Sequence, residues 1–202
     1  MNYRSTFAWV ALVALVSGCQ TTSVRSAWFD TDFTGPPMRK IVVAGSVNRA
    51  ADERVLEDVF VDKLRAAGVE AIAGHTVRLD DPGSPEASFE AAVVNTGAQG
   101  LLLVTLLGVD TRTQVSTTMV RGGMGWGRGP WGGTTLTGFP VQQVSQYDIA
   151  TVETKLFDVK TKQLVWAATT TTFNPRSVAR EAPEFANLII GQLAGREIIS
   201  SK

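Results

Sequence analysis

The spacing of hydrophobic and polar residues predicts a strand, a helix and a second strand early in the chain. Ile41–Ala44 is a continuous apolar run preceded by two basic residues, the pattern of a strand buried on both faces. From Ala50 to Ala67, apolar residues recur every three or four positions opposite charged ones, which predicts an amphipathic helix that Gly68 ends. Val69–Ala73 follows as a short strand. Two strands joined by one helix favour parallel pairing through a crossover.

The middle of the chain continues this alternation of strands and helices. After a predicted loop over residues 74–83, the sequence Ser84–Glu86 is typical of a helix start, and Gly97 ends the helix. Gly100–Leu107 predicts a third, strongly buried strand. We therefore expect a βαβαβ arrangement up to this point.

The last part of the chain predicts a β-hairpin and a helix. Asp110–Val120 is rich in Thr, Ser and Val, which extends the third strand past the core. Tyr147–Phe157 alternates between apolar and polar residues, and Leu164–Phe173 is its returning strand. Pro183 begins a final helix with an apolar stripe. The predicted fold class is α/β (α+β): one domain over residues 39–202, with a mixed sheet of five to six strands, βαβαβ followed by a β-hairpin and a C-terminal helix.

A glycine-rich loop is predicted at residues 121–140. This stretch contains eight glycines, so neither a helix nor a strand is favoured. Trp126, Arg128 and Trp131 lie in it, and aromatic and arginine side chains on exposed loops are the types that anchor interfaces. These three residues are a candidate partner contact. Contact with lipid headgroups or glycan, or an insertion without a dedicated role, are the alternatives.

Composition narrows the classes of function. With 202 residues, the chain has the length of one ordinary domain. Its 19 Lys and Arg residues balance 19 Asp and Glu residues, so no overall field draws the chain to nucleic acid. One cysteine and one histidine argue against an internal disulfide, a cysteine-based metal cluster and a catalytic triad. We therefore expect no enzymatic activity, no catalytic residues, no metal and no cofactor.

The N-terminus has the pattern of a secretory signal. Met1–Arg4 carries one positive charge, and Phe7–Val16 is an apolar run about half as long as the ~20 residues of a membrane-spanning helix. The ending Val16–Cys19 resembles the lipobox of bacterial lipoproteins. This resemblance implies that residues 1–18 are a cleaved signal peptide. It also implies that the thiol of Cys19 is acylated, with palmitate among the acyl groups, and holds the protein on a membrane.

The residues after the cysteine indicate where the anchor lies. Gln20 stands where the sorting rule of enteric lipoproteins expects aspartate for retention in the inner membrane. By this resemblance the protein is expected in the outer membrane, lipid-anchored on the periplasmic face. Residues 19–38 are mostly polar and contain prolines, which predicts a lipidated N-terminus and tether. Its aromatic residues Trp28, Phe29 and Phe33 are expected to pack against the domain.

From about Ser26 onward the chain resembles a family of small bacterial envelope lipoproteins. The segments that carry the resemblance are Arg39–Ala44, Arg54–Phe60, Leu64–Ala71, Glu153–Asp158 and Leu164–Trp166. Members usually have Thr-Gly-Lys in the hairpin turn, where this chain has Thr161–Gln163 without a glycine. The order of elements also resembles the N-terminal domain of the Tol-Pal translocation protein. It is similar, too, to the periplasmic domain of lipoproteins that activate peptidoglycan synthases or form the curli secretion channel. The resemblances imply a fold and a location, and the matching motifs carry no chemistry.

One group of residues is a candidate for chemistry. His75 follows the second strand, at the sheet end where open α/β proteins bind ligands, and Asp80 and Asp81 are near it in sequence. An imidazole with two carboxylates has the components of a metal site or of an acid–base pair. The sequence Asp80–Gly83 is also typical of a turn, which makes an ordinary loop the alternative.

The sequence favours a non-catalytic, lipid-anchored periplasmic lipoprotein that acts through protein contacts in cell-envelope assembly or maintenance. Its expected partners are the membrane, through the acyl chains on Cys19, and an envelope protein, with no nucleic acid. One alternative is an oligomeric secretion or pore component of the outer membrane, in which Gly100–Phe157 forms two long strands with a glycine-rich tip. The other is a small-ligand binder or enzyme at the C-terminal ends of the first three strands.

Overall fold

A six-stranded mixed sheet forms the centre of the computed structural model, which describes residues 22–78, 86–121 and 138–200. The strands are, in chain order, β1 (Thr22–Phe29), β2 (Lys40–Ser46), β3 (Glu70–Ala73), β4 (Gly100–Arg121), β5 (Gly138–Asp158) and β6 (Leu164–Phe173). They lie side by side in the order β1-β6-β5-β4-β2-β3. β2 is parallel to β3 and to β4, and the other neighbouring strands are antiparallel.

The helices of the described residues cover parts of both faces of this sheet. They are α1 (Ala50–Ala66), α2 (Gly74–Arg78), α3 (Glu86–Asn95) and α4 (Val178–Ala194). α1 and α4 lie side by side on one face, where Phe60 meets Phe185 edge-on with ring centroids 5.4 Å apart. α3 packs on the other face, over β2 and the start of β4. No helix within the three described ranges is both long enough and apolar enough to cross a membrane.

This architecture confirms the predicted α/β fold class. The mixed sheet, the parallel pair β2 and β3, the β5–β6 hairpin and the C-terminal helix are all present. The main core lies between the sheet and the helices α1 and α4, and its fully buried members include Ile41, Phe60, Leu102, Trp166 and Ile189. Trp166 is thus a core residue.

β1 is a strand that the hydrophobic pattern did not predict. The predicted tether, residues 19–38, includes this strand, which pairs antiparallel with β6 at the edge of the sheet. Its only buried residue is Thr22, whose hydroxyl oxygen lies 3.0 Å from that of Thr172. Main-chain hydrogen bonds to β6 hold the strand, so its side chains show little apolar alternation for sequence reasoning to detect.

The aromatic residues expected to pack against the domain differ in their contacts. Phe33 packs against the main core. The guanidinium of Arg196 lies over the ring of Phe29, 4.0 Å from its centroid, which is a cation–π contact. Trp28 is 51% exposed. The end of β1 and the stretch after it are therefore held against the body through Phe29 and Phe33.

The structure corrects the start of the last helix. α4 begins at Val178, and Pro183, the predicted first residue, lies inside it. Ser177 caps the helix, because its side-chain oxygen accepts a hydrogen bond from the N–H of Arg180. The capping serine therefore starts the helix earlier than the proline. The predicted end of α1 is confirmed, since Gly68 follows the helix with a φ of +95°.

The β5–β6 turn has no glycine at Thr161–Gln163. Lys162 adopts a φ of +61°, in the left-handed region that favours glycine. The carboxylate of Asp158 accepts the N–H of Thr161 at 2.7 Å, and Lys162 forms an ion pair with Glu90 of α3. Side-chain contacts therefore stabilise a conformation that glycine adopts without strain.

Candidate functional site

A two-stranded ribbon projects from one end of the sheet. β4 and β5 stay paired with each other to their far ends. Their outer neighbours stop much earlier, because β2 pairs with β4 only as far as Thr105, and β6 pairs with β5 only from Ile149 onward. The ribbon is defined here as residues 110–121 and 138–148. Within the described part of the chain, no other strand pairs with either of its edges.

The second strand of the ribbon, in β5, begins earlier than the sequence predicted. The extension of β4 past the core is confirmed, but β5 begins at Gly138, well before the predicted strand start at Tyr147. Residues 138–146 are rich in Gln and Val and contain Pro140, so they lack the alternation of a strand packed on a core. Pairing with β4, rather than burial, gives this segment its strand conformation.

One face of the ribbon continues the face of the sheet that the main core covers. After a bulge near Gly108, Val109 lies on the face that α1 and α4 cover in the body of the sheet. Because side chains alternate along a strand, this inner face carries every second residue of β4 from Val109 to Met119, and their β5 partners. Its apolar members Val115, Met119 and Val144 are 59%, 71% and 61% exposed. The inner face is therefore an accessible surface with separate apolar side chains.

Most of the ribbon is uncharged. Neither residues 113–120 nor residues 139–147 include Lys, Arg, Asp or Glu. Charged residues occur at the base, where Asp148 accepts a hydrogen bond of 2.7 Å from the hydroxyl of Thr111, and at Arg121. Natural proteins usually place charges on free strand edges to prevent pairing with other chains. This ribbon leaves most of both edges without that protection.

An apolar groove of about 270 Å³ lies at the base of the ribbon. It opens between the N-terminal ends of α1 and α4 and the strands β4 and β5. Apolar side chains form most of its lining, including Leu56, Val104, Leu106, Val152 and Phe185. Charged side chains of both signs also line it: Arg49, Asp52, Arg176 and Glu181. The groove continues onto the inner face of the ribbon through Val109.

A second candidate site is a buried carboxylate at the C-terminal ends of β2 and β3. The side chain of Glu57, on α1, is 0% exposed. Its Oε1 accepts the N–H of Gly45 at 2.8 Å, and its Oε2 accepts the N–H of His75 at 2.7 Å. Nδ1 of the His75 ring lies 2.8 Å from the same Oε2 and, when it carries the ring proton, donates to it. Donors from two strand ends therefore converge on one carboxylate.

The carboxylate of Glu57 also stabilises the short helix α2, which occupies residues predicted as a loop. Glu57 accepts an N–H of the first turn of α2, one of the groups that a helix leaves unpaired. The hydroxyl of Thr76 donates to the carbonyl of Ala73 at 2.6 Å and supports the same turn. At Gly74, a Cβ would lie 2.9 Å from the carbonyl oxygen of Val43 and 3.0 Å from Oε1 of Glu57. The close approach of chain and carboxylate therefore depends on glycine at this position.

The structure gives His75 other neighbours than the sequence predicted. Its side chain is 21% exposed, and its Nε2 lies 3.6 Å from Oδ1 of Asp58, whose side chain is 62% exposed. The expected partners Asp80 and Asp81 lie outside the described residues. Within the described ranges, no set of three or more His, Cys, Asp or Glu side chains is arranged to hold a metal ion. The contacts of Glu57 orient the imidazole and fasten two strand ends to α1.

Sequence reasoning missed Glu57, although a signal was available. Glu57 precedes Phe60 by three positions and Leu64 by seven, which places it on the apolar stripe of the helix. A carboxylate on such a stripe is buried and needs hydrogen-bond donors from elsewhere in the fold.

The remaining predicted site residues lie outside the described part of the chain. They are the lipid-attachment residue Cys19 and the three residues of the glycine-rich loop, Trp126, Arg128 and Trp131. Their roles stay predictions. The structure corrects the bounds of the predicted loop, residues 121–140, because Arg121 and Gly138–Pro140 belong to the strands of the ribbon.

No family model matches the chain, and no curated protein is significantly similar to it. Among solved structures, two crystal forms of the PelC dodecamer from Paraburkholderia phytofirmans are similar. One, a point variant, has a TM-score of 0.48 at 12% identity and covers 88% of this chain and 99% of the other. The second has a TM-score of 0.45 at 15% identity, with coverage of 89% and 99%.

A third similar structure is lipoprotein GNA1162 from Neisseria meningitidis. Its TM-score is 0.43 at 11% identity, and the match covers 77% of this chain and 98% of that protein. At TM-scores below 0.5 and identities of 15% or less, these similarities carry no information on activity, partners or assembly. The resemblance to the Tol-Pal translocation domain and to the activators of peptidoglycan synthases stays a prediction.

Proposed function

We propose that this protein is a non-catalytic lipoprotein, anchored by acyl chains on Cys19 to the periplasmic face of the outer membrane. It acts through protein contacts in cell-envelope assembly or maintenance, and the ribbon is its contact element. The observation that carries the contact role is the pair of ribbon edges, which are largely uncharged and pair with no other strand of the described ranges. Free N–H and C=O groups along such an edge are a template for adding a strand from another protein.

The groove at the base of the ribbon suits the same mode of binding. Main-chain hydrogen bonds give strand addition its affinity, and pockets for alternate side chains give it specificity. The groove meets the inner face at Val109, so an apolar side chain of an added strand would find a pocket there. Arg49 and Asp52 at this pocket form an ion pair of 2.6 Å and offer polar contacts to the partner.

The anchor is tested by replacing Cys19 with serine. We expect the Cys19→Ser variant to leave the membrane fraction, because it lacks the acyl chains that contribute ~0.8 kcal/mol per buried methylene. Envelope fractionation measures the release, and mass spectrometry of the mature N-terminus identifies the modification. Thr21→Ser, which keeps the cysteine, is the matched control. An unacylated native N-terminus, or a Cys19→Ser variant retained on the membrane, would refute the anchor.

The contact role is tested by adding charges to the ribbon. We expect the double variant Gln114→Lys/Thr118→Lys to reduce crosslinking to envelope proteins at least about tenfold, because charges on a free edge oppose strand addition. Crosslinking in intact envelopes, followed by pull-down, measures this. Gln163→Lys/Asn187→Lys adds the same charge at exposed positions outside the ribbon. Equal crosslinking in both double variants would contradict a contact role for the ribbon.

A second candidate function is an oligomeric secretion component, favoured by the ribbon having two free edges. β4 of one copy can pair with β5 of the next, and such head-to-tail contacts close into rings when the rotation permits. The molecular mass of the detergent-solubilised protein distinguishes the two functions. Oligomers that dissociate in Gln114→Lys/Thr118→Lys favour the second. A monomer that still crosslinks to a different protein favours the first.

The strand ends offer less support for an enzyme or a small-ligand binder. Glu57 is bonded to main-chain N–H groups and to His75, which fastens β2 and β3 to α1. These are the contacts of a structural residue. We therefore propose no catalytic role for His75.

A further inference from the structure

The point where β1 begins constrains how the anchored protein meets the membrane. Thr22 of β1 pairs with Thr172 of β6, which pairs with Ala150 of β5, which in turn pairs with Val109 of β4. This row of four residues crosses the sheet at the base of the ribbon. The chain therefore enters the sheet at the end from which the ribbon projects.

The short distance from the anchor to this row brings the bilayer close to the ribbon. Cys19 precedes Thr22 by three residues, so the two Cα atoms are at most about 11 Å apart. The folded body extends from the row in one direction, and the ribbon extends about 37 Å in the other, from Asp110 to Arg121. The bilayer cannot occupy the space of the body. A membrane that holds acyl chains on Cys19 therefore lies close to the base of the ribbon.

The unpaired main-chain groups along the ribbon edges argue against insertion of the ribbon into the bilayer and favour a position along its surface. In hydrocarbon, free N–H and C=O groups have no water to bind, so an open strand edge is not stable there. Among the described residues, no strand pairs with either edge of the ribbon, and on the β5 edge only Asp148, at the base, is bonded, to Asn174. A ribbon of one anchored copy that touches the bilayer would therefore lie in the headgroup layer, where these groups stay hydrated.

We propose that the inner face of the ribbon is a lipid-contacting surface. This inference rests on the proposed acylation of Cys19 and adds a direct contact between the ribbon and the bilayer surface. Val115, Met119 and Val144 project from this face and are more than half exposed. No charge separates them, so their side chains can reach the acyl region from the headgroup layer. Contact through this face leaves the edges, which are a different surface, available to a protein partner.

A cysteine scan of β4 within the ribbon tests the proposal. Acylation uses the only thiol of the chain, so one new cysteine at each position from 113 to 118 can carry an NBD fluorophore. The mature acylated protein is placed in phosphatidylethanolamine–phosphatidylglycerol vesicles that contain doxyl-labelled lipid quencher. We expect at least twofold stronger quenching at Thr113→Cys, Val115→Cys and Thr117→Cys than at the three intervening positions. Gln163→Cys, in the turn at the opposite end of the sheet, supplies the background.

The outcomes separate this inference from the proposed function on which it rests. If the protein sediments with the vesicles but ribbon labels are quenched no more than Gln163→Cys, the lipid contact is refuted and the anchor stands. Equal quenching at all six positions also overturns the proposal, because it indicates insertion rather than contact through one face. Crosslinks between copies with unquenched ribbon labels would assign the inner face to a second copy. Failure of the acylated protein to sediment would refute the anchor and the inference together.

Discussion

Replacing Glu57 by alanine is expected to lower the free energy of unfolding by about 3–5 kcal/mol, the usual effect of removing one partner from a buried charged cluster. The N–H groups of Gly45 and His75, and the His75 ring, would lose an acceptor at a site where Glu57 is 0% exposed. The loss falls where two strand ends meet α1, so α2 should loosen as well. Urea unfolding of the detergent-solubilised protein, followed by tryptophan fluorescence, measures the change.

Two further variants show whether the carboxylate itself is responsible. Asp58→Ala changes the neighbouring residue of the same helix, which is 62% exposed, and should cost less than about 0.5 kcal/mol. Glu57→Gln keeps the volume and one acceptor oxygen but turns an amide donor toward other donors, so a loss of about 2 kcal/mol is expected. If Glu57→Ala stays within about 1 kcal/mol of the native protein, the carboxylate does not hold the strand ends. A role in ligand binding would then be the better explanation of its burial.

Phe60→Ala is expected to cost a similar amount, about 3–5 kcal/mol, through loss of packing rather than of hydrogen bonds. Phe60 is fully buried in the core between the sheet and α1 and α4. Its ring meets that of Phe185 at 5.4 Å and an interplanar angle of 77°, the edge-to-face geometry that aromatic pairs prefer. Removing the ring leaves a cavity at the contact between the two helices. The same unfolding experiment measures the loss.

A double-mutant cycle tests this contact more directly. Phe60→Ala/Phe185→Ala should fall short of additivity by about 0.5–1.5 kcal/mol, the usual coupling of an aromatic pair. Trp28→Ala removes a larger ring that is 51% exposed on the edge strand, and a loss below about 1 kcal/mol is expected. Strict additivity in the cycle would mean that the rings do not stabilise each other.

Both stability predictions concern the body that positions the ribbon. The core between the sheet and α1 and α4 fixes β4 and β5 in the sheet, and the ribbon continues their pairing beyond it. The groove, the ribbon and the start of β1 all lie at one end of this body. We therefore propose that the packed body has a positioning role. It holds the largely uncharged ribbon, the contact element, beside the proposed membrane anchor.

The parts of the fold predicted from the sequence are those whose signal is local. β2 is a continuous apolar run, and α1 has an apolar stripe that ends at Gly68. The β5–β6 hairpin combines an alternating strand, a turn and a returning strand within a short stretch. In each case, burial against a core selects residue types at the period of the element. The lipobox resemblance at Cys19 is local in the same sense, and it stays a prediction.

The parts that only the tertiary structure decided depend on which distant segments become neighbours. β1 and the returning strand of the ribbon are held by main-chain pairing, which requires no apolar periodicity. Glu57 finds its donors at Gly45 and His75, which are brought together only when β2, β3 and α1 pack. The sequence by itself determined the body, the class of fold and a predicted anchor. Only the tertiary structure showed that the ribbon and the residues next to that anchor lie at the same end of the sheet. This placement depends on the register in which neighbouring strands pair, from β1 through β6 and β5 to β4, and no single strand carries that information.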